Sequence, residues 1–136
     1  MNVPRIRLRT LFLLVAIAAI LLTAANRFNA WDYRLKSEYS AASVISDVTK
    51  FVESHKGQWP TGWRDIPNGT DASRYVNMKF DVVADELIAN PSLIYDTIKP
   101  KSGEYRTYPH AERQLDALRQ SLIRFHTSAD QKAKSH

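Results

Sequence analysis

Tyr105, Tyr108, His110 and Glu112 come nearest to a polar constellation in this chain. An imidazole beside a carboxylate is the equipment of general acid–base catalysis. His110 and Glu112 are two positions apart, and on a helix such side chains diverge by about 160°. They pair only if the helix start is irregular, and His110 is read as a surface residue there. Asp85-Glu86 is read as a solvated or capping pair. His55 closes an apolar helical stripe, so it is read as a histidine at the core edge or at the negative end of the helix dipole. The histidines, at 55, 110, 126 and 136, have no metal-ligand spacing. The glycines, at 57, 62, 69 and 103, cannot build a phosphate loop, and no serine sits in a Gly-x-Ser-x-Gly elbow. There is no cysteine, which removes disulfides, thiolate metal sites and cysteine nucleophiles together. No catalytic, cofactor-binding or metal residue is assigned, no cofactor is expected, and the chain is read as a non-enzyme. Trp59 and Trp63 could form a ligand platform, but the reading preferred is that they seal one end of a core. Asn68-Gly69-Thr70 fits a glycosylation acceptor and is as well explained by a turn.

The elements around these residues follow from periodicity. Residues 39–55 have helical spacing, with Ala41, Ile45, Val48, Val52 and His55 recurring at four and three. Residues 26–38 lack such a pattern and are expected to be a solvent-exposed stalk. Gly57 is expected to cap the helix end. Thr61 is placed to cap a short turn carrying Trp63 and Ile66, and residues 67–71 form a loop. Val76, Met78, Phe80 and Val82 alternate with polar residues, the mark of a half-buried strand over 74–83. Residues 84–90 fit one helical turn stopped by Pro91. Residues 93–98 are rich in β-formers, and after the turn 100–103 residues 104–108 can return as a partner strand. Pro109 opens a helix in which Ala111, Leu115, Leu118, Leu122 and Phe125 recur at four, three, four, three. Residues 127–136 are expected to be a flexible tail. The fold class is α+β: a long N-terminal helix, a domain of about three antiparallel strands, and a C-terminal amphipathic helix. Ile45, Val48, Val52, Trp59, Trp63, Val76, Met78, Phe80, Val82, Leu115, Leu118 and Leu122 are its expected core.

What this domain hangs from is easier to read. Residues 10–25 carry no charge, and Arg5, Arg7 and Arg9 stand before them. Cations ahead of an apolar helix are a membrane address that leaves the N-terminus in the cytoplasm. Arg5, Arg7, Arg9, Leu11, Leu14, Ile17, Leu21 and Trp31 are the expected anchor residues. A signal peptide over 1–25, cut after Ala25, is the competing reading. It would release a secreted or periplasmic small-ligand-binding domain or enzyme. No Gly or Pro occurs from Arg5 to Lys56, a run of 52 residues. At average usage such a gap has a probability of roughly 0.1%, and one unbroken helix explains it. A cut after Ala25 would divide that helix, so the retained anchor is preferred. The expected segments are a cytoplasmic stretch 1–9, a transmembrane helix 10–30, an extracytoplasmic domain 31–126 and the tail.

The net charge of +5 belongs mainly to the three N-terminal arginines, since the rest has 16 Lys/Arg against 14 Asp/Glu. Those charges alternate along the chain, so nucleic acid is not expected as a partner. The expected partners are the lipid bilayer and a protein, or a second copy docked through the Leu115, Leu118, Leu122 stripe.

Gly57-Gln58-Trp59-Pro60-Thr61, after a long helix that begins apolar, resembles the Gly-x-Tyr-Pro-Thr turn of type IV pilins and pseudopilins. The resemblance implies a membrane-held helix carrying an antiparallel sheet on the outer face. The chain lacks the Gly that ends the family's leader and the Glu within its apolar run, so neither leader processing nor filament assembly is implied. Residues 7–14, Arg-Leu-Arg-Thr-Leu-Phe-Leu-Leu, are similar to the openings of many uncharacterised small single-span proteins of planctomycete-type bacteria, which implies membrane anchoring alone. The domain is therefore expected to be a membrane-anchored structural or interaction module.

Overall fold

The helix α1 runs unbroken from Leu8 to Ser54 in the computed structural model, which describes residues 8–103, 105 and 111–134. A glycine inside it would have cost about 1 kcal/mol and a proline about 3, and it contains neither. It ends where Lys56 and Gly57 turn left-handed, at φ 55° and 86°. The Gly57 N–H donates to Val52 O at 2.8 Å, the long closure of a Schellman end. The expected cap glycine is thus the second of two left-handed residues. It serves a further purpose, because a Cβ on Gly57 would stand 2.7 Å from Phe125 Cβ.

The chain divides between Tyr33 and Arg34 into two units. The first holds the apolar part of α1, and its side chains are exposed throughout 8–31. The second holds the rest of α1 and, in order, a 3-10 turn Trp63–Asp65, α2 Gly69–Ala72, β1 Val76–Met78, α3 Ala84–Ala89, α4 Ser92–Thr97, β2 Ile98–Pro100 and α5 Ala111–Lys134. Its core draws Ala41, Val44, Ile45, Val48 and Val52 from α1 and Leu115, Leu118 and Leu122 from α5. Val76, Leu87, Ile94 and Ile98 add one residue each from β1, α3, α4 and β2, and Ile66 adds one from the loop. On both long helices the buried positions recur at four and three, so each presents one stripe inward.

Among the described residues the sheet has two antiparallel strands, with Val76 opposite Pro100, Asn77 opposite Lys99 and Met78 opposite Ile98. The expected third strand, 104–108, lies outside the described residues except for Tyr105. The strand expected over 74–83 pairs only at Val76–Met78, with one more ladder bond from Lys79 N–H to Thr97 O at 2.9 Å. Phe80 and Val82 reach the core from the bend that follows. The larger correction concerns 93–98, expected as a strand and found as the helix α4 with only Ile98 extended. Pro91 sits at φ −59°, ready to start a helix. Ile94 and Thr97, three apart, both face inward, and the Thr97 hydroxyl donates to Leu93 O one turn back at 2.6 Å. Burial on a helical period outweighed the β preference of the individual residues.

Three shorter segments also differ from expectation. Residues 67–71 run into the single turn of helix α2, Gly69–Ala72, entered through the left-handed Asn68 at φ 54°. Thr61 does not cap the turn after it: its N–H and its hydroxyl donate to the Asp65 carboxylate, at 2.7 and 2.8 Å. The polar segment after Thr127, expected as a tail, is helical as far as Lys134.

Residues 34–38 are no exposed stalk. Ser37 and Glu38 are buried, and Arg34 and Leu35 are half-buried. The Ser37 hydroxyl donates to Tyr75 O at 2.7 Å and accepts from the Ser102 N–H at 3.1 Å, joining α1 to one end of the β1–β2 pair, where β1 begins and β2 ends. Glu38 accepts from Arg34 Nε, one turn earlier, at 3.1 Å. A polar face can be buried when its groups find partners in this way. At the other end of the unit the Ser121 hydroxyl donates to Glu53 at 2.9 Å, tying α5 to α1.

Candidate functional site

The exposed apolar surface of α1 is the largest feature of the molecule that its own folding leaves unexplained. Leu11, Phe12, Leu13, Leu14, Val15, Ile17, Ile20, Leu21 and Leu22 are each about half to two-thirds exposed. Transferring such side chains out of water is worth about 1.5–3 kcal/mol each, so the stretch holds of order 10–20 kcal/mol. That rivals the whole stability of a small domain. Residues 10–30 span about 31 Å at 1.5 Å per residue, against a hydrocarbon core of about 30 Å. This helix is therefore long and apolar enough to cross a membrane. Of the expected anchor residues, Arg9, Leu11, Leu14, Ile17, Leu21 and Trp31 lie exposed on it, while Arg5 and Arg7 lie outside the described residues. Phe28 and Trp31, with ring centres 6.2 Å apart, and Tyr33 follow the apolar stretch. Aromatic rings of this kind favour the lipid–water boundary.

Among its described residues the second unit shows no comparable apolar surface. Ile45, Val48, Val52, Val76, Leu115, Leu118 and Leu122 are buried, and Trp59, Trp63, Met78, Phe80 and Val82 are half-buried against them. The leucine stripe of α5 is therefore buried within the chain's own core. Trp59 donates its indole N–H to Lys79 O at 3.1 Å, and Trp63 meets Phe80 edge-on with ring centres 5.4 Å apart. Both tryptophans serve packing, and neither ring lies open as a platform.

Tyr108 and His110 lie outside the described residues, and Glu112 is exposed. Tyr105 donates its hydroxyl to Ile98 O at 2.8 Å, and burial pushes its phenol well above the usual value. It is a structural tie. His55 is exposed beyond the last turn of α1, stacked on Phe51 at 3.9 Å with Nδ1 3.0 Å from Phe51 O. The Asp65 carboxyl is held below its ordinary range, first by the Thr61 N–H and then by the Thr61 hydroxyl.

One pair escaped the sequence reading. His126 Nδ1 lies 2.9 Å from Asp85 Oδ1, at the rim of a groove of about 220 Å³ lined by Ile88, Ala89, Ile123 and Thr127. The two residues are remote in sequence, and only the packing of α3 on α5 joins them. Ligand sites usually exceed 300 Å³ and enclose their polar groups. Here Asp85 is 76% exposed, and the pair ties two helices together. Among the described residues no group of three or more His, Asp or Glu is placed to hold a metal. Compared with protein families, with curated proteins and with solved structures, the chain matches none.

Proposed function

We propose that this is a single-pass membrane protein, held in the cytoplasmic membrane by residues 10–30 of α1 with its N-terminus inside. The second unit acts outside as a structural or interaction module, and the pilin-like layout of helix, turn and sheet is a likeness of architecture alone. One observation carries this reading: the apolar side chains of residues 8–22 are exposed along the whole stretch. Its helical backbone continues through Thr23, Ala24 and Ala25, with the Thr23 hydroxyl donating to Ala19 O at 2.8 Å. That continuity favours retention of the helix over release by a cut after Ala25.

Fractionation of the full chain tests the anchor. The protein should stay with membranes through a high-salt wash, and protease added from outside should remove the second unit while sparing the helix. A soluble product whose sequence begins at Asn26 would overturn the proposal in favour of a secreted domain. Protection of the second unit from protease would reverse the orientation.

A further inference from the structure

The outward face of the two-stranded sheet carries a cluster of like charges. Lys99 stands opposite Asn77 in the ladder, and Lys101 stands opposite Tyr75, to whose carbonyl its N–H donates at 2.8 Å. Lys79 continues β1 opposite Thr97. By strand alternation Lys79, Lys99 and Lys101 share one face, and all three are exposed, while Val76, Ile98 and Pro100 point into the core. Diagonal neighbours on such a face are about 7–8 Å apart. Lys79 and Lys99 are such diagonal neighbours, and Lys101 lies two residues beyond Lys99 on the same strand. Like charges gathered on one face repel, and an anion offsets that repulsion. None of the three is in an ion pair with a described carboxylate, the exposed Asp81 and Asp96 included.

We infer that this lysine face binds the anionic headgroups of phospholipids in the bilayer that holds α1. The inference rests on the membrane anchoring proposed above. Tethering puts the face at high local concentration near lipid, where weak charge contacts suffice. In chain order the tether is short, since the end of the sheet that carries Lys101 is hydrogen-bonded to Ser37, the first buried residue of α1. A lysine near an anionic lipid surface gains roughly fivefold in occupancy, and the gain fades with salt. The alternative role for these lysines is to guard the open strand edges from pairing with other chains. Guarding needs charge of either sign, whereas lipid binding needs positive charge.

The test uses the full chain reconstituted into vesicles of phosphatidylcholine alone or with about one-third phosphatidylglycerol. Lysines are labelled with a water-soluble amine reagent and quantified by peptide mass spectrometry. Lys79, Lys99 and Lys101 should label about fivefold more slowly in the anionic vesicles at low salt, and equally in both at high salt. Lys50 and Lys56, exposed on and just after α1, should not differ. In the double variant Lys99→Glu/Lys101→Glu, with unchanged circular dichroism, Lys79 should lose its protection. Equal labelling in both vesicles overturns the inference in favour of edge guarding or an acidic protein partner. Protection of every lysine alike overturns the assignment to this face. Failure of the chain to enter either vesicle overturns the anchor, and this inference with it.

Discussion

Ser37→Ala isolates what holds the sheet to the long helix. The Ser37 hydroxyl makes two hydrogen bonds, to Tyr75 O at 2.7 Å and from Ser102 N–H at 3.1 Å. The two losses are unequal. Tyr75 O also accepts from the Lys101 N–H at 2.8 Å and stays satisfied, so its share is the ordinary net worth of a bond, about 1 kcal/mol or less. The half-buried Ser102 N–H loses its acceptor, and an unsatisfied donor costs about 1–3 kcal/mol. Alanine is the better helix former and returns roughly 0.5 kcal/mol. The net loss should be about 2 kcal/mol, or ~10 °C in Tm for a unit of this size. Thermal or urea unfolding of the full chain in detergent would measure it. Ser43→Ala, at an exposed position of the same helix, should be neutral or slightly stabilising. Hydrogen exchange adds a local readout, because the Ser102 amide should lose protection before the β1–β2 ladder does. If Ser37→Ala unfolds within 0.5 kcal/mol of the parent and the Ser102 amide is unchanged, the serine is not the pin described.

Leu118 is fully buried, and Leu118→Ala should cost about 2–5 kcal/mol in urea unfolding, whereas Ala117→Ser on the exposed side should be near neutral. Equal effects would mean that α5 is rotated from the position described. Gly57→Ala meets both a left-handed backbone and the Phe125 side chain, so it should destabilise by about 2 kcal/mol, and a neutral result would falsify the close approach of the two segments. Asp65 has its pKa depressed by Thr61, so its contribution to stability is present above the unfolded value and is lost as pH falls through the folded one. Thr61→Ala removes the hydroxyl but keeps the N–H, so a carboxyl NMR titration should show the Asp65 midpoint rising part of the way to its ordinary value; an unchanged midpoint would show that the hydroxyl does not bond it.

The apolar helix was the easiest feature to read because the capacity to cross a membrane depends on the composition of one continuous segment. Leu11, Leu14, Ile17 and Leu21 need no partner in the chain to be recognised as apolar surface. The stripes of α1 and α5 were legible for a related reason: a helical period written over several turns identifies its buried face without knowledge of what covers it. Residues 93–98 were not legible. Six residues are too few for a period to separate helix from strand, and the packing of Ile94 and Thr97 decided. Ser37 and Glu38 carried no apolar signal, so their burial depended on acceptors and donors that fold beside them from 38 and 65 residues away, or one turn back in Arg34.

The same division holds for the candidate sites. The absence of cysteine and the spacing of the histidines are properties of the sequence. Only the tertiary structure paired Asp85 with His126, used the α5 leucines within the chain, and set Lys79 across the strand pair from Lys99. In each case the deciding quantity was a distance across a strand pair or a helix pair, which the order of residues along one chain does not contain. The sequence by itself determined that an apolar helix leads the chain and that two helical stripes must be covered. The fold decided which polar groups are buried, and which charges are left facing outward together.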